Sequence, residues 1–570
     1  MELFLIDAIG PFFRGYRRKR INWSKIPFAH LESATPAERA LMRDELRRFA
    51  DGAAAQGYNA VTLDDLTHLA PHPLHDPEVA ERIARLREEF NGHFDLLRGG
   101  CGMKIFLTSD VLPVTPAIER ALGDDRDAFD DYYRQLVAGI LDDFPQLSGL
   151  VLRLGECDGH DVRDPLRSRL HLRDHRHANR LLRLLLPEFE RRGRELILRT
   201  WTVGAYPIGD LIWHRDTLAR TLDGLDSPRL IVSMKHGESD FFRYLPLNSA
   251  FHRISQRKLI EFQARREYEG AGEFPSFIGW DCERFAEQLA GVEHMAGISI
   301  WCQTGGWHRF RRRAFLENDG SDIWIRLNTR AATAVFRDSL PAAAAVAGIV
   351  GESRAAAACE LLRLTEKVIL DLYYIDEFAR QKWFFRRVRV PPLVHVFWDS
   401  LFINAGVRAA MRRFVSRPAE AIRTGEEAME CFEKIIALAR ESGLPEDDLL
   451  PFRDFCQLLL LARSYYLLPD GERLLDRLRE AKRDYKRRWP SESRRRYRIR
   501  ISDKPLPAGP AALAIATRLL LRARRGYRLL DHLLLLRFAP FAYRVFRRRA
   551  PKALPKFLRK SAMGVDVLFK

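Results

Sequence analysis

Three carboxylate residues follow closely on short apolar runs, and they are the residues with the clearest capacity for chemistry. Glu156 follows GLVLRLG, Asp240 follows RLIVSMKHG and Glu267 follows KLIEFQ. Two carboxyl groups, one protonated and one ionised, can act together as a general acid and a general base. The competing interpretation is structural, because carboxylates also form ion pairs, and Arg153 and Arg199 are available partners for Glu156.

Other polar and aromatic residues stand at the ends of the same runs. We interpret the following as substrate-binding residues: Asp7, Asp65, Asp110, Arg199, Trp201, Lys235, His236, Tyr268, Trp301 and Trp307. Lysine and arginine can bind an anionic group, arginine through two parallel hydrogen bonds. Tryptophan rings can stack on a flat substrate face, although packing in the core explains them equally well. Helix capping is the better explanation for Asp64 or Asp65.

Eight strand-like runs must position these residues. They begin near residues 4, 60, 104, 149, 195, 229, 258 and 297, and most are separated by helical stretches. Eight such units close a (β/α)₈ barrel, in which all strand ends open on one face. An open doubly wound sheet would instead carry a glycine-rich turn after the first strand, where this sequence reads DAIGPFFRG. We therefore predict the α/β class, with a (β/α)₈ TIM barrel over residues 1–322.

The sequence pattern changes after the eighth run. Between about 325 and 490, helical periodicity dominates and no strand-like run of note intervenes. We predict an all-helical domain over residues 323–490, followed by a basic amphipathic helical tail over residues 491–570.

Residues 229–270 contain two linked motifs. The first is Lys235-His236-Gly237-Glu238-Ser239-Asp240-Phe241, and the second runs from Ile260-Glu261-Phe262-Gln263 to Glu267-Tyr268-Glu269-Gly270. The pair resembles the α-glucuronidases of glycoside hydrolase family 67, which carry Lys-Asn-Gly-x-x-Asp-Phe and then Leu-Glu-Phe-Gln-x-x-x-Glu-Tyr-x-Gly at nearly the same spacing. The resemblance extends over roughly residues 1–480. The chain departs from the family in three respects: it lacks the N-terminal β-sandwich domain, it has His236 for the usual asparagine, and it carries the basic tail.

The resemblance implies a function and roles for individual residues. Asp240 and Glu267 fall at the general-base side, Glu156 falls on the general acid, and Arg199 resembles an arginine of the family's fifth strand. The implied activity is an inverting glycoside hydrolase acting on a uronic acid-containing or related glycan, and we predict no cofactor. Inverting enzymes hold their two carboxyl groups about 6.5–9.5 Å apart. Glu156 then needs a raised pKa to remain protonated near neutral pH.

Two other functions are compatible with these residues. A barrel with altered catalytic residues can serve as a glycan-binding or scaffold protein of membrane-associated polysaccharide synthesis. A lyase or epimerase is the third alternative, with Lys235 and His236 as bases. Convergence of Glu156, Asp240 and Glu267 on one open pocket distinguishes hydrolysis from the scaffold role.

The positive charge of the chain is concentrated at its end. The net charge is +18, and residues 491–570 contribute +17 of it, from 21 Lys or Arg and 4 Asp or Glu. Leucine- and phenylalanine-rich segments interrupted by arginine are typical of helices in a membrane interface, whereas a spanning helix needs about 20 consecutive apolar residues. We predict binding to an anionic membrane surface, with docking on the protein itself or on a partner as the alternative, and no nucleic acid.

Histidine and cysteine residues bear on metals and on the cellular compartment. Four histidines follow the fourth run: His160, His171, His175 and His177. His171 and His175 have the i, i+4 spacing of metal ligands on a helix, but the surrounding arginines would repel a cation, so we predict no metal. Seven scattered cysteines without a CxxC pair indicate a reduced, cytoplasmic setting. The protein would then be cytoplasmic and peripheral to the inner membrane, with the apolar N-terminal run forming the first strand instead of a signal peptide.

Overall fold

Eight parallel strands form a closed barrel. The computed structural model describes residues 1–16, 26–154, 165–168, 171–172, 174–201, 208, 211–212, 216–303, 312–385, 388–390, 395–490, 497–502, 521–522 and 538–549. The barrel strands are β1 (Leu3–Asp7), β2 (Ala60–Leu63), β3 (Lys104–Asp110), β4 (Leu147–Arg153), β5 (Glu195–Arg199), β6 (Leu230–Lys235), β7 (Arg257–Gln263) and β8 (Met295–Trp301). Each pairs in parallel with the next, and β8 closes on β1. The predicted (β/α)₈ barrel is confirmed.

Helices cover the outside of the barrel. They are α1 (Pro36–Ala55), α2 (Pro77–Asp95), α3 (Arg126–Asp143), α4 (His175–Arg192), α5 (Thr217–Leu222), α6 (Gly279–Gln288) and α7 (Ile323–Phe336), with short helices at Phe28–Glu32 and Pro116–Leu122. Side-chain caps fix several helix starts. Thr35 and Glu38 form a capping box at α1, and Asp174 caps α4 by accepting from the N–H of His177 at 2.9 Å. Such caps satisfy N–H groups that the first helical turn leaves without partners.

The inside of the barrel is apolar at one end and polar at the other. The inner apolar cluster consists of Leu3, Leu5, Ala60, Phe106, Val151, Ile197, Ile231, Leu259 and Ala296. Side chains alternate along a strand, so a residue two positions further on points to the same side. Applied to β1 and to β4–β7, this rule brings in Asp7, Arg153, Arg199, Ser233 and Glu261. The inward face therefore becomes polar at the carboxyl ends of the strands, where active sites of this fold lie.

A largely helical region follows the barrel. Its helices are α8 (Ala342–Val350), α9 (Glu352–Val368), α10 (Ala405–Phe414), α11 (Pro418–Ser442), α12 (Glu446–Leu467) and α13 (Gly471–Arg488), with a short helix at Asp376–Ala379. The sequence predicts helices alone here, but short strands occur at Lys382–Phe385, Val388–Val390, Val396–Phe397 and Ser400–Asn404. Strand Arg498–Ser502 pairs with Ser400–Asn404, and Leu521–Arg522 pairs with the strand at Lys382. Strands of two to five residues carry too little periodicity to be recognised from sequence.

The loop after β7 connects the barrel to this helical region. Tyr268, Ala271, Phe274 and Phe277 of that loop belong to the apolar core of the helical region and not to the main barrel core. The Phe274 ring stacks on Phe452 of α12, with ring centres 5.4 Å apart. The loop is therefore connected to the barrel through β7 and packed against the helical region through its apolar side chains.

The basic tail contributes one described helix, α14 (Phe538–Arg549). Phe541 is 63% exposed and Phe546 is 47% exposed. Four arginines share the helix with these rings: Arg544, Arg547, Arg548 and Arg549. Among the helices that the structure describes, none combines the length and the hydropathy needed to cross a bilayer.

Candidate active site

One polar group of the barrel mouth lies at the end of β6 and in the loops after β6 and β7. Lys235 ends β6, and its Nζ lies 2.5 Å from Oδ1 of Asp240. The phenol of Tyr268 donates to Oδ2 of Asp240 at 2.8 Å, and the N–H of Phe241 donates to Oδ1 at 2.9 Å. The Lys235 ammonium also lies 3.7 Å from the ring centre of Trp201. Four residues predicted for the site, Trp201, Lys235, Asp240 and Tyr268, thus meet at one point.

These contacts keep Asp240 ionised. Burial alone raises the pKa of a carboxyl group. Attraction to Lys235 and hydrogen bonds from Lys235, Tyr268 and the Phe241 N–H outweigh burial, so the pKa of Asp240 lies below its usual value. Burial raises the pKa of the Tyr268 phenol well above its usual value, so the phenol keeps its proton and donates it to the carboxylate. Asp240 is therefore a negatively charged but weakly basic group.

Glu267, the other carboxylate predicted at the base side, precedes Tyr268 in the same loop. It is buried, and its backbone N–H donates to Oε1 of Gln263 at 2.8 Å. The negative charges of Asp240 and Glu267 both help to raise the pKa of the Tyr268 phenol, after the larger effect of burial. The two carboxylates therefore lie within electrostatic range of the same phenol.

A second polar group connects β5, β6, β7 and β8 inside the barrel. Nε of Arg199 lies 3.1 Å from both carboxylate oxygens of Glu261. The hydroxyl of Ser233 donates to Glu261 at 2.7 Å, and the indole N–H of Trp301 donates to it at 3.2 Å. The guanidinium carbon of Arg199 lies 4.3 Å from the Trp301 ring centre. Glu261 thus positions Arg199 and Trp301, two residues predicted to bind substrate.

Asp7 ends β1 and connects it to the residues that follow β8. Its carboxylate accepts hydrogen bonds from the N–H groups of Cys302 and Gln303, the latter at 3.0 Å. Burial raises the pKa of Asp7 to about 7, although the two backbone hydrogen bonds work in the opposite direction. A carboxyl group that titrates near neutral pH in the mouth can donate or accept a proton.

Arg265 links the two sides of the mouth electrostatically. It is buried, and its Nε donates to the carbonyl of Ala271 at 2.9 Å. Burial lowers the pKa of the guanidinium below its usual value, and carboxylates including Glu273, Asp7 and Glu267 oppose that shift. Asp7 of β1 and Glu267 of the loop after β7 therefore lie in the field of one cation.

The ends of β3 and β4 form a third polar group, and Asp65 follows the end of β2. Oδ1 of Asp110 lies 2.7 Å from Nε of Arg153, and both side chains are fully buried. Asp65 accepts from the N–H of Thr67 at 2.6 Å and caps the turn Leu66–His68. This is the capping arrangement that the sequence favours for Asp64 or Asp65. The substrate-binding roles of Asp65 and Asp110 stay predictions.

His236 packs among phenylalanine rings. Its ring centre lies 5.0 Å from that of Phe285, 5.6 Å from Phe262 and 5.8 Å from Phe241. Burial lowers the pKa of His236 to about 3, so the imidazole is uncharged at neutral pH. This apolar packing favours a role in the core, and the predicted contact with substrate stays a prediction.

Glu156 and Trp307 lie outside the residues that the structure describes. The separation of about 6.5–9.5 Å expected between Glu156 and its partners is therefore still a prediction. The segment that carries Glu156 runs from the end of β4 to the start of α4. Within it, residues 167–168 pair with residues 113–114 in a short antiparallel ladder.

The mouth combines ionised carboxylates, buried cations and aromatic rings. Charges act more strongly in such a buried site than in water. An ionised carboxylate there can attack an electrophilic carbon, activate a water molecule or stabilise a cationic transition state. Stabilising a cation requires only the negative charge, so a weakly basic carboxylate such as Asp240 can do it. Glycoside hydrolysis passes through a transition state of this cationic kind.

Three residues that hold the site escape the sequence analysis: Ser233, Gln263 and Arg265. Ser233 lies two residues before Lys235, and Gln263 lies two residues after Glu261, so the inward alternation of β6 and β7 identifies both. Arg265 lies in a loop without periodicity, and no sequence signal identifies it.

One group of metal-ligand type, Asp130, His171 and His177, lies apart from the mouth among the described residues.

Comparison with known proteins finds partly similar solved structures but no family. No protein-family model matches the chain, and no curated protein matches its sequence. A glycoside hydrolase family 138 enzyme targeting pectin rhamnogalacturonan II matches with a TM-score of 0.45 and 12% identity, over 98% of this chain and 68% of that one. A family 89 glycoside hydrolase from Clostridium perfringens, in complex with PUGNAc, matches with a TM-score of 0.43 and 11% identity, over 77% and 51%. A D-allulose 3-epimerase from Methylomonas sp. matches with a TM-score of 0.31 and 12% identity, over 58% and 96%.

These three similar structures belong to more than one reaction class. The chain spans about half the length of the family 89 structure. All three TM-scores are below 0.5, so these similarities assign no function to this chain.

Proposed function

We propose that the protein is an inverting glycoside hydrolase that acts on a uronic acid-containing or related glycan. The observation that carries the proposal is the group formed by Lys235, Asp240 and Tyr268. Lys235 and Asp240 belong to the first motif that resembles the family 67 α-glucuronidases, and Tyr268 belongs to the second. Two sequence blocks with a shared resemblance thus supply one buried, charged group at the active face of the fold.

Within this proposal Glu267 is the general base and Asp240 stabilises charge. A base works best when its pKa lies near the working pH, whereas the pKa of Asp240 is lowered and both its oxygens accept hydrogen bonds. Glu267 takes a proton from water, whose oxygen attacks the anomeric carbon as the glycosidic bond breaks. Glu156 gives its proton to the leaving oxygen. Asp240 lowers the energy of the positively charged transition state.

Trp201 is the proposed stacking surface for a sugar. Its ring is partly exposed and lies against the Lys235 ammonium. Trp301 is buried and is held by Glu261 and Arg199, which suits a supporting role. An aromatic face beside a cation favours a ligand that has both an apolar sugar face and a negative group.

The proposal is tested by hydrolysis of 4-nitrophenyl glycosides and uronides, followed by uronic acid-containing oligosaccharides. We expect Glu267→Gln and Asp240→Asn each to lower kcat by about 10²–10⁴-fold. The matched control is Glu293→Gln, because Glu293 is 87% exposed and lies just before β8, at the opposite end of the barrel. Proton NMR of the first product should show inverted anomeric configuration.

Other outcomes separate the alternatives. Retained configuration contradicts the inverting mechanism, and wild-type rates in both carboxylate variants contradict the assigned residues. Glycan binding without cleavage of any substrate favours the glycan-binding or scaffold protein. An unsaturated or epimerised product favours the lyase or epimerase, with Lys235 as the remaining candidate base, because His236 is buried among phenylalanines.

We further propose that the tail holds the enzyme on an anionic membrane surface. The helix α14 exposes the rings of Phe541 and Phe546 beside four arginines. Each basic residue near anionic lipid contributes about 1 kcal/mol, and exposed phenylalanine adds apolar burial. A nucleic acid would satisfy the arginines but not the rings. In this proposal the enzyme is cytoplasmic and peripheral to the inner membrane, with the tail as its membrane contact.

A further inference from the structure

Three side chains of metal-ligand type meet outside the barrel mouth. Asp130 lies in α3, His177 lies in the first turn of α4, and His171 lies in the segment just before α4. Nε2 of His177 lies 3.0 and 3.1 Å from the two carboxylate oxygens of Asp130. Donor atoms of all three residues lie within 4.8 Å of one another. Asp130 and His177 are buried, and the His171 ring packs on Phe129 with ring centres 4.4 Å apart.

We propose that this group binds a divalent transition-metal ion of the zinc class. Two imidazoles and one carboxylate are ligands that zinc accepts, at about 2.0–2.2 Å each. In a tetrahedral site with such bonds, ligand atoms are about 3.3 Å apart. The Asp130–His177 pair already has nearly this separation, and His171 reaches it with a movement of about 1.5 Å or less. Water occupies the fourth position.

Neighbouring residues orient two of the three proposed ligands by hydrogen bonds, as is common around metal ions. Arg180 donates to Oδ2 of Asp130 at 2.9 Å, which leaves Oδ1 to face the ion. Ligating carboxylates are commonly hydrogen-bonded in this way, which fixes their orientation. Asp174 caps α4 and fixes the backbone of His177.

The sequence prediction of no metal depends on repulsion by nearby arginines. Among the arginines whose side chains the structure describes, Arg180 contacts Asp130, and its side chain is 52% exposed. It is also shared with Asp127, which lies 2.9 Å away. Water and the second carboxylate therefore screen its charge, and its remaining effect is to orient Asp130.

The position of the group gives the ion a structural role. The segment between Arg153 and His175 contains both His171 and Glu156, the proposed general acid. A metal bound through His171, Asp130 and His177 ties His171, which lies just before α4, to α3 and α4. The metal assignment itself rests on the three ligands and is independent of the proposed glycosidase activity.

The test is metal binding by the full chain after treatment with a chelator. Zn²⁺ is titrated against a chromophoric competitor, and Co²⁺ is added to a second sample, since its visible spectrum reports tetrahedral coordination. We expect one bound ion, and a loss of affinity of at least about 100-fold in His171→Ala, His177→Ala and Asp130→Asn. His175→Ala is the matched control, because this neighbouring histidine stands outside the group and should leave the affinity unchanged.

A second readout separates binding from folding. Zn²⁺ should raise the thermal midpoint of the wild type and leave that of His177→Ala unchanged, because an ion that binds only the native state stabilises it. If Asp130→Asn does not fold, the affinity of His171→Ala for Zn²⁺ serves as the test. His171 takes no part in the hydrogen bond between Asp130 and His177, so its replacement leaves that bond in place. No uptake by the wild type in excess Zn²⁺, or uptake that survives all three substitutions, would overturn the proposal. The group would then be an ion cluster of Asp130, His177 and Arg180.

Discussion

Replacing Lys235 by methionine tests whether its ion pair with Asp240 organises the barrel mouth. Methionine keeps much of the side-chain length and removes the charge, so Asp240 loses the cation that lies 2.5 Å away. At that distance and an effective dielectric constant of about 20, two unit charges attract by about 7 kcal/mol, which is an upper limit. Breaking buried pairs by removing one partner typically costs about 3–5 kcal/mol, and we expect a loss of that size.

The loss should depend on pH in a definite direction. In the wild type the pKa of Asp240 is lowered, so the stability contributed by its ionised form is present at neutral pH and disappears only as the pH falls through that low pKa. In Lys235→Met, burial dominates and raises the pKa of Asp240 above its usual value. Ionising Asp240 then destabilises the variant as the pH rises. The difference from wild type should be smallest near about pH 4 and largest above about pH 7.

Scanning calorimetry at one scan rate measures this difference. With an unfolding entropy of about 2.1 cal/mol/K per residue, a loss of 3–5 kcal/mol lowers the midpoint by about 3–4 °C if the whole chain unfolds together, or about 4–7 °C if the barrel unfolds alone. The double variant Lys235→Met/Asp240→Asn should recover most of the loss, because no buried charge is left uncompensated. Equal losses of stability at about pH 4 and above about pH 7, together with a double-variant loss equal to the sum of the two single-variant losses, would refute the coupling of Lys235 to Asp240.

Three further predictions concern other parts of the molecule. Asp7→Asn should flatten the pH dependence of the thermal midpoint between about pH 4 and 7. Burial raises the pKa of Asp7 to about 7, so in this range the group is ionised in the unfolded chain but stays protonated in the native wild type, whose stability falls as the pH rises. Equal slopes in calorimetry contradict this. Phe274→Ala should cost about 3–5 kcal/mol and speed hydrogen exchange in both residues 264–278 and α12, whereas Phe189→Ala in α4 should speed exchange in the barrel only. Phe541→Ser with Phe546→Ser should weaken co-sedimentation of the full chain with phosphatidylserine vesicles, high salt should weaken it further, and unchanged binding would exclude the helix face as the contact.

The barrel was predictable because each of its strands carries its own signal. Parallel strands buried on both faces are nearly continuous apolar runs, and this chain has eight of them with helical segments between most. The polar ends of those runs also identify the mouth, since every strand of the fold opens on the same face. Lys235, Asp240 and Tyr268 were therefore predictable as neighbours.

The contacts of the second polar group were not predictable, because its members come from distant parts of the chain. Glu261 follows Arg199 by 62 residues and precedes Trp301 by 40. The histidine cluster shows a second reason. His171 and His175 have helical spacing in the sequence, but α4 begins at His175, so His171 is not on the helix. The structure instead joins His171 to His177 and to Asp130, a combination that local periodicity does not contain.

Residues of the helical region help to position the loop that carries Glu267 and Tyr268. Glu269 lies two residues after Glu267, and its carboxylate accepts from Arg243 at 2.8 Å and from Tyr374 of the helical region at 2.7 Å. Arg243 also pairs with Glu366 of α9, so the network crosses from the barrel into the helices. Tyr268, which donates to Asp240, lies in the core of the helical region. A barrel without that region keeps each candidate carboxylate in its sequence but loses the contacts that fix the loop, so the helices are as necessary to the site as the strands.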